Sequence, residues 1–400
     1  MRDLREMMDW LADGARSAPS MEDVLAEFCE QVLSNGIPIC RVGFFVLTLH
    51  PQIMGQRFLW TPSGVHVSDG SFEVFQTEEF RRSTIRYVID NRISLRRKLE
   101  DKNCPIDFPQ IPELLAEGAT DYLAVPLFFG GEAVHGASFA TEKPGGFTDQ
   151  EIAALDLLMP SLTRVIENHT LRRTAGILLE TYVGHHAGPR VLAGQIRRGD
   201  TAVINAAIWL SDMRGFTELS DRLPPQSLVD LLNRYFDCQV PVIRKHGGEV
   251  LKFMGDGLLA IFAISSDGED ERAICEAALA AARETRSLIA ASFSAERSCD
   301  RSVSFGLALH VGEVMYGNIG SEGRLDFTCI GPAVNLAARI EKLTGELRRS
   351  ILASDTFARH FSSDFNAVGE FRLRGFGSAR TVFGLKDENE ATELRGATNS

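Results

Sequence analysis

Hydrophobic positions recur along this chain with two periods, and each change of period marks an element. Over residues 1–35 the apolar residues Leu4, Met7, Met8 and Leu11, then Val24, Leu25, Phe28 and Val32, fall at helical spacing. Ser17-Ala18-Pro19-Ser20 separates the two segments, and Ser20 is placed to cap the second. Residues 41–49 and 56–60 read as strands, 61–70 as a Gly/Pro/Ser-rich loop, 77–90 as a helix, and 100–113 as a proline-containing loop. Two apolar runs around Gly130-Gly131 predict a β-hairpin over 121–141. Thr148-x-x-Glu151 is a capping box, with Phe147 placed to staple Ile152, and the helix it opens continues through Leu155, Leu158, Leu162 and Val165. Leu171, Ala175, Leu178 and Tyr182 then form a narrow seam. It fits either an amphipathic helix packed on its own domain or a parallel dimer helix. Gly184 and Gly188-Pro189 read as the end of that helix.

Beyond residue 200 the pattern predicts a strand (203–211), a helix (226–245), strands at 249–254 and 257–263, a helix (269–290) and a strand (302–310). Strand-like segments (313–319, 326–330), a helix (332–343), a strand (351–353), a short helix (354–360) and closing strands (365–373, 380–385) follow. The opening order is βαββαβ, a ferredoxin-like sequence of elements. The expected fold class is therefore α+β, built from two α/β-type domains. The expected divisions are an N-terminal helical segment (1–19), a first domain (20–168), a helical connector (169–200), a second domain (201–386) and a disordered polar tail (387–400).

Composition narrows the function classes. The chain has 400 residues, 44% of them hydrophobic and 24% charged, with a formal net charge of −12. That balance argues against sequence-independent nucleic-acid binding, which needs basic patches. It does not exclude a nucleotide substrate, because a bound cation offsets phosphate charge locally. The seven cysteines are scattered without a C-x-x-C pair, which suits a reducing compartment and offers no zinc spacing. The adjacent pair His185-His186 reads as a solvated helix end. The charged N-terminus lacks an apolar signal core, and no window approaches the ~20 apolar residues that span a bilayer. A cytoplasmic protein without a membrane segment is expected.

The candidate chemistry lies between Val203 and Phe262. Two strand-like runs carry acidic residues, AAIWLSD ending on Asp212 and EVLKFMGDGLLAIF holding Asp256. Such a pair can bind a metal, act as a general acid and base, or cap a turn. Gly255 and Gly257 flank Asp256, and Met213-Arg214-Gly215-Phe216-Thr217 follows Asp212 as a turn before a helix. Carboxylates next to a turn rich in backbone N–H groups favour a divalent cation and a polyphosphate.

S-D-M-R-G-F-T, L-K-F-M-G-D-G and G-P-A-V-N-L-A-A-R-I-E, in that order and with the aspartates 44 residues apart, resemble the class III nucleotidyl cyclases over nearly all of 201–386. The resemblance implies an adenylate cyclase that makes 3′,5′-cyclic AMP and pyrophosphate from ATP, with two Mg²⁺ or Mn²⁺ ions per site. Asp212 and Asp256 match its metal aspartates, and the carbonyl of Met213 a further ligand. The amides of Gly215, Phe216 and Thr217 match its phosphate turn. Lys252 and Thr328 match the base-reading pair, Asn335 the ribose-orienting asparagine, and Arg339 the arginine that stabilises charge on the reacting phosphate. Lys252 in place of Glu favours adenine over guanine. Thr328, as in the IIIb subclass, brings an expectation of bicarbonate stimulation. The family's site lies between two subunits, so a homodimer is implied. The competing readings are a guanylate cyclase and a nucleotide-binding regulatory protein without turnover. Residues 20–168, with A-V-P-L-x-x-G-G-x-x-x-x-G and F-T-x-x-E, resemble a GAF domain, which implies a small-molecule sensor or a dimerisation module. Glu142 stands where the cyclic-nucleotide pattern of that family has Asn, so no cyclic-nucleotide ligand is expected.

Overall fold

The structure is a computed structural model and describes residues 4–130, 134–264, 271–293 and 303–388. The chain divides into two compact units, at Leu178/Leu179.

In the first unit α1 (Leu4–Ala12) and α2 (Met21–Ser34) precede β1 (Arg41–Leu47), β2 (Ile53–Thr61) and β3 (Gly64–Ser71). Short helices α3 (Phe72–Gln76), α4 (Glu78–Arg81) and α5 (Thr84–Asn91) lead to β4 (Leu95–Lys98) and α6 (Gln110–Ala116), then to β5 (Asp121–Phe128) and β6 (Val134–Thr141). Among the described residues these strands form one antiparallel sheet in the order β3-β2-β1-β6-β5-β4. Ser20 caps α2 in a capping box with Asp23, as the sequence pattern requires. The second capping box is also present, with Thr148 N donating to Glu151 at 2.7 Å and Glu151 N to Thr148 Oγ1 at 3.3 Å. Met7, Leu11, Ala15 and Ala18 bury in the same core as α2, β1 and the helix after Thr148, so the segment set apart as 1–19 packs as part of this unit.

That helix, α7 (Asp149–Tyr182), continues without a break past Leu178. The predicted boundary at 168/169 therefore falls inside a helix. Gly188-Pro189 does not end it. Those residues open α8 (Ala187–Leu192), where proline's missing N–H costs nothing.

The second unit continues with β7 (Thr201–Arg214), α9 (Phe216–Arg222), α10 (Pro225–Asp237), α11 (Val240–Lys245), β8 (Glu249–Met254), β9 (Gly257–Ile264) and α12 (Glu271–Phe293). After α12 come β10 (Ser304–Ser321), β11 (Arg324–Ile330), α13 (Pro332–Glu346), β12 (Ile351–Ser354), α14 (Asp355–Ala358), a 3₁₀ turn (Arg359–Phe361), β13 (Phe365–Phe371) and β14 (Arg380–Leu385). The sheet runs β13-β14-β12-β10-β7-β9-β8, with β11 paired to β10. Its first four strands in chain order, β7 to β10, lie as β10-β7-β9-β8 and are antiparallel, which is the ferredoxin-like arrangement.

Strand β7 shows why the sheet needs helices on both sides. Ala206, Ile208 and Leu210 bury with Ala333 and Ala337 of α13. Ala207, Trp209 and Met213 bury on the opposite face with Tyr235, Ile243 and Leu279. A strand covered on both faces reads as a continuous apolar run, as AAIWL does.

Several expectations are corrected. Residues 64–71 are an edge strand rather than a loop, and half of them face water. The loop predicted over 100–113 already contains the start of α6, and the helix predicted over 77–90 breaks at Arg82-Ser83. The helix predicted over 226–245 divides into α10 and α11, at Cys238-Gln239 before Pro241. Asp387 and Glu388, assigned to the tail, pair with Arg286, at 2.5 Å and 3.3 Å. Part of the 130–131 turn, the start of the 269–290 helix, Ser302, Cys299 and the rest of the tail lie outside the described residues. Cys29, Cys40, Cys104, Cys238 and Cys329 are free thiols. No described helix is long and apolar enough to cross a membrane.

Candidate active site

Asp212 lies on β7, and Asp256 in the tight turn between β8 and β9. β9 pairs antiparallel with β7 through Leu258 and Ser211, which brings the turn beside Asp212. Gly257 makes the approach close. A Cβ there would stand 3.1 Å from Asp212 Oδ1 and 3.2 Å from the Ser211 carbonyl, so a side chain would crowd the carboxylate. The two carboxyl groups are within hydrogen-bonding reach of each other. Burial and the charge of Asp256 raise the Asp212 carboxyl from its ordinary range to about 7, against a stabilising hydrogen bond from the Met213 backbone.

Two carboxylates held together in a half-buried place with no compensating cation have the electrostatics of a cation site. The donor set fits a hard divalent ion of the Mg²⁺ type, which takes one or two protein carboxylates and completes its shell with water and phosphate oxygens. Among the described residues no group of three or more His, Cys, Asp or Glu side chains gathers at ligand spacing. The remaining ligands would come from a backbone carbonyl such as that of Met213, from water and from the bound molecule.

Gly215 caps α9, so Gly215, Phe216 and Thr217 stand at a helix start directly after the strand that carries Asp212. Lys252 reaches its place through a β-bulge. The register of β8 against β9 slips between Val250 and Lys252, which sets Lys252 opposite Leu259. Leu259 belongs to the same buried cluster as Leu251, Phe327 and Cys329. Re-aiming a side chain is a common use of a bulge. The charge of Lys252 acts on Cys329, the neighbour of Thr328, although burial still pushes that thiol up to about 11. Thr328 is buried on β11, opposite Gly317, and its Oγ1 has no hydrogen-bond partner. A buried hydroxyl left unpaired is costly.

Asn335 and Arg339 sit one turn apart on α13, whose inner side buries Ala333, Ala337 and Ile340. Asn335 is exposed and Arg339 half-exposed. The structure thus brings Asp212, Met213, Asp256 and the 215–217 turn together at one strand end. It places Lys252 by the strand of Thr328, and it turns Asn335 away from the buried side of the helix.

Glu341 escaped the sequence reading, as did the partners of Arg214. Glu341, on α13, acts electrostatically on both Asp212 and Asp256, and its own carboxyl is raised by burial while Arg214 counteracts this. Arg214 reaches, half-buried, from β7 to the end of α13, where its Nη2 donates to the Thr344 carbonyl at 2.7 Å and to the Arg349 carbonyl. Only the position of Glu341 two residues beyond Arg339, on the opposite side of a helix, marked it in the sequence.

Residues 201–386 match the family model described as the adenylate and guanylate cyclase catalytic domain. The chain is 36% identical over 196 residues to the "Adenylate cyclase, terminal-differentiation specific" of Dictyostelium discoideum, covering 49% of this chain and 9% of that one. It is 32% identical over 173 residues to an "Adenylate cyclase" of Anabaena cylindrica, covering 42% and 33% respectively. The chain thus spans from a tenth to a third of the length of these relatives. A solved structure of the adenylyl cyclase CyaB from P. aeruginosa aligns with 26% identity and a TM-score of 0.42, over 46% of this chain and 95% of that one.

Proposed function

We propose that this chain, whose residues 201–386 form an adenylate and guanylate cyclase catalytic domain, is an adenylate cyclase that converts ATP to 3′,5′-cyclic AMP and pyrophosphate. The observation that carries the reading is the Asp212–Asp256 pair, two half-buried carboxylates in mutual contact beside a helix start. When bound there, Mg²⁺ or Mn²⁺ supplies a lowered pKa for the ribose 3′-hydroxyl and a clamp on the triphosphate.

The chain's own groups do the rest. Asp212, Asp256 and the Met213 carbonyl hold the cations, and the amides of Gly215, Phe216 and Thr217 receive phosphate oxygens. Lys252 donates to adenine N1, an acceptor where guanine presents an N–H. Thr328 Oγ1, buried without a partner, accepts from the adenine 6-amino group. Asn335 orients the ribose, and Arg339 brings fixed charge to the α-phosphate as negative charge builds there, an effect expressed mainly in kcat. The exposure of Asn335 on the outer side of α13 fits a role in the site of a second subunit, so the working species is a homodimer with two composite sites.

The N-terminal unit is read as a GAF-like regulator of that dimer. Its sheet and short helices enclose a cavity of about 370 Å³ lined by Phe45, Gln56, Phe75, Phe80, Tyr122 and Ser138, room for a small molecule.

Purified protein assayed with ATP and GTP in Mn²⁺ and in Mg²⁺ is expected to turn over ATP faster. Faster GTP turnover would make it a guanylate cyclase, and turnover of neither would leave a nucleotide-binding regulator. Mixing Asp256→Ala with Asn335→Ala chains, each inactive alone, is expected to restore activity through one intact composite site. No recovery would overturn the shared-site dimer.

A further inference from the structure

Asp212 is not the last residue of its strand. β7 runs on to Arg214, and alternation puts Arg214 on the face that carries Asp212. That is also the face covered by α13, through Ala206, Ile208 and Leu210. The Arg214 guanidinium donates to the carbonyls of Thr344, in the last turn of α13, and of Arg349, just beyond it. A helix leaves its last carbonyls short of partners and favours a cation beside them, so this is a strong place for a fastening.

The neighbouring strand is cut to receive it. Gly306 on β10 lies directly across from Asp212. A Cβ at Gly306 would overlap Thr344 Oγ1 and stand 2.9 Å from Glu341 Oε1. The final turns of α13 therefore rest on bare backbone next to Asp212. Asn335 and Arg339 belong to the same helix, on earlier turns. α13 is a single rigid element with its C-terminal end bound to the strand of Asp212 and its N-terminal half presenting Asn335 and Arg339.

We infer that Arg214 is a positioning residue that couples the two halves of the catalytic machinery carried by one subunit, the Asp212 strand end and α13. The inference rests on the composite-site reading above. In such a dimer the aspartates of a subunit serve one site and its Asn335 and Arg339 the other. Arg214 then links the two sites mechanically through each subunit, although it touches substrate in neither.

The mixed dimer separates the two ends of the link. In a mixture of Asp256→Ala and Asn335→Ala chains, the productive site takes its aspartates from the Asn335→Ala chain and its α13 from the Asp256→Ala chain. Arg214→Met in the chain that supplies α13 is expected to lower kcat about tenfold with an unchanged half-saturating Mn²⁺ concentration. The same substitution in the chain that supplies the aspartates is expected to raise that concentration severalfold. An effect from only one placement would overturn the coupling. So would equal losses of Vmax from both placements with unchanged Mn²⁺ dependence, which is the signature of a smaller folded fraction.

A readout apart from turnover uses the single chain. Hydrogen exchange over residues 341–349 should speed up in Arg214→Met and slow again in Arg214→Lys, which keeps one donor to the carbonyls. Mn²⁺ binding, followed by its paramagnetic resonance without nucleotide, should weaken in Arg214→Met. Unchanged exchange and unchanged binding would overturn the inference. If the parental mixture recovers no activity, the composite-site reading falls, and these two measurements still decide whether Arg214 ties α13 to the Asp212 strand.

Discussion

Asp121, at the start of β5, and Asp212, near the end of β7, are both drawn out of water by a sheet. The Asp121 side chain is fully buried and fully answered. Arg96 donates through Nε at 3.1 Å and through Nη2 at 2.6 Å, and the amides of Tyr122 and Phe147 each donate at 3.0 Å. Arg96 also donates to the Phe147 carbonyl, so the carboxylate staples β4, β5 and the start of the 147–151 turn into one unit. Asp212 has no such cation. Its close neighbours include two more acids, Asp256 and Glu341. The first arrangement stabilises a fold by itself. The second leaves an excess of negative charge that a proton or a cation would relieve. Unpaired buried polar atoms follow the same division among the described residues. Trp209 Nε1, Gln239 Nε2, Glu249 Oε1 and Thr328 Oγ1 belong to the second unit, against Asn35 Oδ1 in the first.

The comparison breaks if the two aspartates respond alike to removal. Asp256→Ala takes away half of the proposed cation-binding pair and is expected to lower cyclase activity by at least about 1000-fold. It should leave the melting temperature unchanged or higher, since it relieves a like-charge contact. Asp121→Ala strands the Arg96 guanidinium in a half-buried place and is expected to cost about 3–5 kcal/mol. Denaturant unfolding with activity measured on the same samples checks both. A large loss of stability in Asp256→Ala, or none in Asp121→Ala, would sink the distinction.

A smaller effect sharpens the functional side. Lys252→Glu together with Thr328→Ala should shift the ratio of kcat/KM for GTP over ATP upward by more than about tenfold, because a carboxylate accepts from guanine N1–H where the ammonium cannot. Steady-state assays with both nucleotides measure it. An unchanged ratio would remove Lys252 and Thr328 from base recognition.

What the sequence could disclose follows from how local each feature is. The pair Asp212 and Asp256 was legible because short contiguous segments carry both the carboxylates and the glycines that let them approach. The N-cap at Ser20 and the capping box at Thr148 were legible for the same reason. β3 was not, because an edge strand with none of its residues fully buried has little apolar alternation to display. The bulge that aims Lys252 was hidden, since nothing in VLKFM distinguishes one extra residue from regular pleating. Arg214 read as one member of a turn. Its partners are 130 and 135 residues away, and only the folded chain brings them to it. The unit boundary was invisible for a different reason, since α7 crosses it with unbroken helical periodicity.

In one respect the two units are alike, and this gives the finest test. His135 on β6 and His310 on β10 are both buried, and burial pulls each imidazole from its ordinary value of 6.5 to about 4. Glu167 opposes the shift at His135, whereas Arg380 adds to it at His310. Each ring is neutral in the folded unit. His135 receives the Leu47 amide at 2.9 Å, and His310 lies 2.7 Å from the Ser354 hydroxyl. A depressed folded pKa contributes stability that is fully present above 6.5. It is lost as pH falls from 6.5 towards 4, at about 1.4 kcal/mol per unit and up to about 3 kcal/mol for each ring. Hydrogen exchange followed separately in β1 and β7 over that window should show both units losing protection. His310→Gln should flatten the loss in β7 and leave β1 unchanged, and His135→Gln should do the reverse. A β7 profile that stays steep in His310→Gln would place its acid sensitivity in another group and would separate the two units in this respect as well; the Asp212 carboxyl is not that group, since a pKa raised by folding adds stability as pH falls.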